Sequence, residues 1–282
     1  DVLEEQTVET SAAVKQEEVK KQEDVRVEKL KKTKDSGYLL QNFYIVDSTT
    51  SVTKKQFQVE KLLGANMKLV KEPGKKQVLI YHTHAASEGF ADSTKKESDS
   101  VIGVGDELTK ALEKKGYGVI HDRTKYDLVQ GRLDRSLAYN QALASVEKIL
   151  QKNPSIQVVI DLHRDSVGKG KHTYTTINGK KCAIVMFFNG MSRSKNGPIP
   201  YLYNENLTDN LAFSLQMQLL CGKYYPDLTR RIYIKGYRYN LHLAKRAMLV
   251  EVGAQNNTVE EAKNAMKPLA EMLYRLLSGE KS

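Results

Sequence analysis

The sequence predicts an α/β fold, a mixed and mainly parallel central sheet with helices on both faces. Three observations predict it. First, the short aliphatic and β-branched runs at 78–81, 158–162 and 248–252 read as buried strands. Second, stretches of helical spacing separate them, and strands that alternate with helices build a parallel or mixed sheet covered on both faces. Third, each run ends in His or carboxylate, which places chemistry-bearing groups at one rim of the sheet, where open α/β sheets bind ligands.

Residues 1–36 carry no aromatic residue and no Pro, with single apolar residues scattered among Glu, Lys and Gln. Such a segment cannot bury enough surface to offset its ordering entropy. It reads as a linker, disordered or partly helical. Residues 37–282 read as a single catalytic domain. Phe43-Tyr44-Ile45-Val46-Asp47 is its first strand, and helical spacing follows over 53–63. Pro73-Gly74 marks a turn before the strand at 77–81. An amphipathic helix is expected over 106–115, with Leu108, Ala111 and Leu112 on one face, then a short strand at 118–120. A longer helix is expected over 131–151, ended by Asn153-Pro154, and a strand over 157–162.

Asn178-Gly179 accepts the positive φ of a type I′ turn, so 173–177 and 181–188 read as a hairpin. The helix at 211–220 is apolar nearly all round and should be buried. Ile232-Tyr233-Ile234 and 248–252 are further strands. Thr258-Val259-Glu260-Glu261 is a capping box that opens the last helix, whose inner face carries Val259, Ala262, Met266, Leu269, Leu273 and Leu276.

The bulk properties narrow the function. The 282 residues carry a formal net charge of +10, which favours an anionic partner. A nucleic-acid partner is not expected, because the Lys residues are spread out rather than interleaved with aromatics. The two cysteines, Cys182 and Cys221, are too few for a disulfide framework; one bridge between them is the alternative to Cys182 as a small core residue. There is no CxxC, so any zinc site must use His and carboxylate. No apolar stretch approaches the roughly 18 residues that span a membrane. A chain that opens on Asp1 rather than Met reads as processed or truncated, with any upstream anchor missing.

The three strand ends hold the chemistry. Tyr81-His82-Thr83-His84 leads to Glu88. His82 and His84 are not expected on one metal. His84 lies past the strand, in a loop that can curl toward Glu88, and these two are preferred as ligands. His82 is read as an orienting group or a buried packing residue. His163 ends the second strand, and Asp161, on the same face, can receive its free ring N–H. Arg164 suits a substrate carboxylate or a salt bridge to Asp165. Two His and a Glu can hold Zn²⁺ with one position open. Glu251 interrupts an apolar run, where a lone charge is costly unless used. Its raised pKa would suit it to take a proton from water as general base. Arg135 is a cleft candidate, and His242 a substrate-facing one.

Together, the segment from Tyr81 to Glu88, Asp161-Leu162-His163-Arg164-Asp165 and Leu249-Val250-Glu251-Val252-Gly253-Ala254-Gln255-Asn256-Asn257-Thr258 resemble the stage II sporulation protein P family. The match runs from about Tyr38 to Leu277, with the clusters in the family's order. The resemblance implies a zinc-dependent N-acetylmuramoyl-L-alanine amidase fold. His84, Glu88 and His163 match the zinc ligands and Glu251 the catalytic Glu. One departure is that Tyr239-Asn240-Leu241-His242 stands where the family often has Tyr-Asn-Gln-Asp.

It further implies cleavage of the amide between N-acetylmuramic acid and L-alanine in peptidoglycan during sporulation engulfment, with the peptide cross-link as a further target. The place would be outside the mother-cell membrane, held there by an N-terminal anchor this chain lacks. The partners would be stage II sporulation proteins D and M. The rival readings are a zinc carboxypeptidase or other amidohydrolase, and a non-enzymatic wall-binding scaffold.

Overall fold

A computed structural model describes residues 2–281, with side chains from 17 onward. Asp1 and Ser282, the outer ends of the two expected segments, lie outside the described residues. Seven strands form the central sheet: β1 (Tyr44–Val46), β2 (Lys76–Tyr81), β3 (Gly118–His121), β4 (Val158–Asp165), β5 (Val185–Gly190), β6 (Ile232–Lys235) and β7 (Arg246–Ala254). Their order is β1-β6-β5-β7-β4-β2-β3. All neighbours are parallel except β5 with β7. The mixed, mainly parallel sheet is therefore as the sequence predicts. The reason is that β2, β4 and β7 are apolar on both faces, which only a doubly covered sheet can bury.

The helices are α1 (Val2–Thr33), α2 (Ser36–Phe43), α3 (Val59–Gly64), α4 (Val101–Glu113), α5 (Ala138–Lys152), α6 (Leu207–Tyr224), α7 (Val259–Asn264) and α8 (Met266–Leu277). The larger core takes Val78, Ile80, Val158, Ile160, Leu162, Met248, Val250 and Val252 from one sheet face, packed with α4, α6 and α8. The smaller core takes Leu79, Tyr81, Val159, Leu249 and Phe188 from the other face, under α5. Besides α5, the 238–244 segment and Tyr126 pack on this second face.

Several elements differ from the sequence reading. The expected linker is instead largely the helix α1, which packs on α6. Its last turns set Val27 and Leu30 one turn apart, and Leu30 is fully buried in the larger core. Arg26 lies 4.8 Å over the Phe43 ring. Sparse apolar residues suffice there because their spacing puts them on one stripe.

The helix expected from Gly131 begins only at Ala138. Gln130 and Gly131 both have positive φ, and the preceding residues form a two-residue hairpin pairing Leu128 with Leu133. Ser36–Phe43 is helical because the Asp35 carboxylate caps the Gly37 N–H at 2.6 Å. The Asn178-Gly179 hairpin forms as expected, but its second strand ends at Ala183, and Val185 starts β5 of the main sheet. Cys182 and Cys221 are free and buried.

Candidate active site

Strand periodicity decides which polar groups meet. On β4 the second-face series reads Val159, Asp161, His163, and on β7 it reads Ala247, Leu249, Glu251. The register pairs Glu251 with His163 and Tyr81 with Asp161, so the polar ends of three adjacent strands fall side by side. A cavity of about 430 Å³ opens over them. It is lined by His84, Glu88, Arg135, Tyr139, His163, Arg164, Phe188, Lys235, Tyr239 and Glu251, among others.

The chain leaves β2 through Thr83, whose N–H and hydroxyl donate to the buried Asp161 carboxylate at 2.9 and 2.6 Å. The loop then curls, with Ser87 N–H donating to the His84 carbonyl at 3.2 Å. Asp127, fully buried, holds this curl. It accepts from Ala86 N–H at 2.9 Å, Ser87 N–H at 3.0 Å and the Ser87 hydroxyl at 2.6 Å. Arg164 holds its far side, donating from Nε to Gly89 O at 2.7 Å and from Nη2 to Ser87 O at 3.2 Å. Its own backbone N–H donates to Glu88 Oε2 at 3.1 Å. The Arg164 side chain is thus occupied with the loop and, through Nη1, with the Asp165 carbonyl at 3.2 Å, while the Asp165 carboxylate pairs with Arg230. Asp127 was missed in the sequence because its partners are backbone groups far along the chain.

His163 sits between two carboxylates. Its Nδ1 is 3.1 Å from Glu88 Oε1. Its Nε2 stands 2.8 Å from Asp161 Oδ1, off the line of a well-formed hydrogen bond. Burial alone would lower its pKa, but Asp161 and Glu88 override this and hold it well above the usual value. Burial pushes His84 the other way, to about 4, helped by His163 and Arg135. Its Nδ1 is buried without a partner. Glu251 faces the cavity, yet its Oε2 is buried and unpartnered. Burial, followed by the Glu88 charge and opposed by His163, pushes its carboxyl up to about 8. A carboxylic acid in that range can exchange protons near neutrality.

The other sequence candidates lie elsewhere. His82 is not at the cavity. It belongs to the first face with Val78 and Ile80, as alternation requires. There its Nδ1 is 2.7 Å from Leu162 O and its Nε2 2.8 Å from His121 Nε2, while His121 Nδ1 reaches Asp106 Oδ1 at 3.0 Å. His242 is also outside the cavity lining. Its carbonyl accepts from Asn206 at 2.8 Å, and burial lowers its ring pKa to about 4. Arg135 is at the mouth, with Nη2 3.6 Å from Glu88 Oε1.

The donor set suits a zinc ion in kind. Two donors on one tetrahedral zinc lie about 3.3 Å apart, given bonds of about 2.0–2.1 Å. Glu88 Oε1 and His163 Nδ1 have nearly this separation, and the orphaned His84 Nδ1 has no protein partner. The His84 and His163 rings are 5.5 Å apart. Among the described residues no group of three such side chains already stands in metal-holding geometry, so His84 is the arm that would have to close.

The fold and this cleft define a class: an α/β protein with a histidine–carboxylate cavity at the carboxyl ends of parallel strands. The model of the stage II sporulation protein P (SpoIIP) family matches residues 2–274, and the chain belongs to that family. It is 31% identical over 221 residues to stage II sporulation protein P of Bacillus subtilis (strain 168), which covers 72% of this chain and 51% of that protein. The chain therefore spans about half the length of the curated relative it matches.

Similar solved structures include the catalytic domain of the N-acetylmuramoyl-L-alanine amidase CwlV from Bacillus (Paenibacillus) polymyxa var. colistinus. It has TM-score 0.42 and 15% identity, over 71% of this chain and 95% of that one. The CwlD amidase of Clostridioides difficile, in complex with the GerS lipoprotein, gives TM-score 0.40 and 16% identity, over 71% and 95%.

Proposed function

We propose that this protein is a zinc-dependent peptidoglycan hydrolase that cleaves the amide between N-acetylmuramic acid and L-alanine. The observation that carries this reading is the convergence of His84, Glu88, His163 and Glu251, from three distant segments, on one cavity, with His84 Nδ1 and Glu251 Oε2 among its unpartnered buried atoms. Membership of the stage II sporulation protein P family supports the wall as the substrate. His84, Glu88 and His163 would hold the ion. Bound there, zinc supplies Lewis acidity toward the amide carbonyl and toward water.

The chain's own residues do the rest. Glu251, unpaired and held near about 8, takes the proton of the attacking water and returns it to the L-alanine nitrogen as that amine leaves. Asp161 orients the His163 ring from behind and pins the end of β2. Asp127 and Arg164 hold the loop that carries Glu88. Arg135 and Lys235, both at the cavity, offer cations to the carboxylates of the stem peptide. On this reading the protein works on the wall, outside the membrane, during sporulation.

The test is digestion of purified peptidoglycan followed by mass spectrometry of the products, with and without a zinc chelator. Intact stem peptides that vanish with chelator are expected. Split cross-links with no freed stem peptides would replace the amidase reading with an endopeptidase. Unchanged sacculi from zinc-loaded protein, on glycan already trimmed by a transglycosylase as well, would sink both.

A further inference from the structure

A run of aromatic rings leads out of the cavity. The Tyr139 ring packs edge-on against His84 at 5.5 Å, Tyr239 against Tyr139 at 5.3 Å, and Tyr237 against Tyr239 at 6.5 Å. Phe188 backs Tyr239 at 4.8 Å. The run ends on the surface, where Tyr237 is 60% exposed. Beside it, Arg238 donates to the Tyr203 carbonyl at 3.2 Å, which joins this loop to a turn carrying two further rings, Tyr203 at 73% and Tyr201 at 78% exposure.

Exposed aromatic rings that neither fill a core nor cover a neighbour are expensive surface. The backbone beneath them is also specified at a cost. Tyr239 and Asn240 both have positive φ, 52° and 56°, a conformation that bulky residues rarely adopt. It is held by Asn240 Nδ2 donating to Tyr139 O at 2.8 Å. Strain of this kind persists where the surroundings impose it, characteristically at ligand sites. Here it keeps Tyr237 and Tyr239 in line with the cavity rather than folded away.

We infer that Tyr237, with Tyr203 and Tyr201 beyond it, forms a subsite for the β-1,4-linked aminosugar strand of peptidoglycan, outside the point of cleavage. A pyranose ring has an apolar C–H face and a polar edge. A tyrosine matches both, stacking with its ring and hydrogen bonding with its hydroxyl. The run carries no charge of its own. The stem peptide, which bears carboxylates, is better served by Arg135 and Lys235 at the cavity itself. Sugar on the rings and peptide on the cations would together fix which amide meets Glu251. This inference rests on the proposed amidase reading for the direction of the strand, but its binding step needs no hydrolysis.

Calorimetry with the tetramer of N-acetylglucosamine, which has no scissile amide, tests it on the intact chain. The wild type is expected to bind, and Tyr237→Ala to weaken binding by about tenfold, with Tyr203→Ala weaker in effect. Circular dichroism checks that both exposed-site variants keep their fold, and Tyr237→Phe should restore most of the loss. On sacculi, Tyr237→Ala should raise KM and leave kcat within about twofold. No binding of the tetramer by wild type, or binding that Tyr237→Ala and Tyr203→Ala leave unchanged, overturns the inference. So does competition by free stem peptide for the same tyrosines. Tyrosine-dependent binding in a protein that releases no stem peptide would keep the subsite and remove the amidase reading instead.

Discussion

Two histidines separated by one residue meet opposite fates. His82 and His84 leave the same strand, yet His82 is buried beneath the sheet, bonded to Leu162 O and to His121. His84 lies above the sheet at a solvent cavity, with a nitrogen that nothing in the protein satisfies. The first side is closed by α4, whose Gly105 leaves room for both rings. A Cβ there would lie 2.5 Å from His121 Nε2 and 2.8 Å from His82 Nε2. The other side is open because α5 covers only part of it. Buried polar groups are normally paired, so a fully paired histidine marks architecture, whereas one orphaned at a cavity is open to a ligand. The pairing, and not the residue type, separates the two.

The largest expected effect lies wholly on the open side. Glu251→Gln preserves shape and removes the proton acceptor. Release of stem peptides should fall by about 10²–10⁴-fold, with zinc content unchanged by elemental analysis. Retained turnover would mean that another group moves the proton.

The next experiment crosses the two histidines. His84→Ala should weaken zinc by more than the 10–100-fold, roughly, that an outer partner costs, with little change in the melting temperature of metal-free protein. His82→Ala should do the reverse. It keeps zinc but leaves Leu162 O and His121 unpaired in a buried place, at a cost of about 1–3 kcal/mol. Metal titration and thermal melts on both variants read the cross. Zinc lost from His82→Ala and kept by His84→Ala would invert the assignment.

Asp127 sharpens the comparison, because it acts on the open side without lining it. Asp127→Asn keeps the shape but turns one acceptor of the 86–87 loop into a donor. Glu88 should then be held less firmly, and zinc affinity should drop roughly 10–100-fold, with secondary structure intact by circular dichroism. An unchanged affinity would show that Arg164 alone suffices to hold the loop.

These contrasts also show what was legible in the sequence. The apolar runs of β2, β4 and β7 and the polar residues that end them are local patterns, but it is the end of the strand at Tyr81 and the curl after it that separate His82 from His84, because residues two apart on a continuing strand would share a face. The pairing of Glu251 with His163 depends on register between strands far apart in the chain, and no local pattern carries it. The work of Arg164 was equally hidden, because its partners are the carbonyls of Ser87 and Gly89, which look alike in any sequence. His121, bonded to His82 and braced by Asp106, was hidden because the contact joins segments far apart in the chain. Composition misled at α1, where a charged segment still lays Leu30 into the core. At 131–137 apparent helical spacing concealed a turn at Gln130-Gly131.

On the closed side, Gly105→Ala should disturb the histidine pair without touching the cavity. Overpacking of this kind costs about 1–3 kcal/mol. The variant should therefore melt earlier yet bind zinc as the wild type does. If the His82→Ala background absorbs most of that loss, the clash lies at the ring and not elsewhere along α4.

The smallest effect is also the most specific to the open side. The Glu251 carboxyl is raised to about 8 in the metal-free fold, from an ordinary 4.5, chiefly by burial. In the unfolded chain it ionises near its ordinary value, so between those two pKa values the unfolded state alone gives up its proton. Stability contributed by the protonated side chain is complete below about 4.5 and is lost as pH rises toward 8. Glu251→Gln cannot ionise and escapes this loss. Its advantage over wild type in metal-free melts should be near zero at acid pH, grow through neutrality and level off above about 8. His82 gives the opposite profile, since burial drives its ring from an ordinary 6.5 down to about 3, so its contribution is complete above about 6.5 and is lost as pH falls toward 3. A flat difference between Glu251→Gln and wild type would mean that the carboxylate is already stabilised in the metal-free cavity, and Glu251 would then be better placed to hold a cation than to accept a proton.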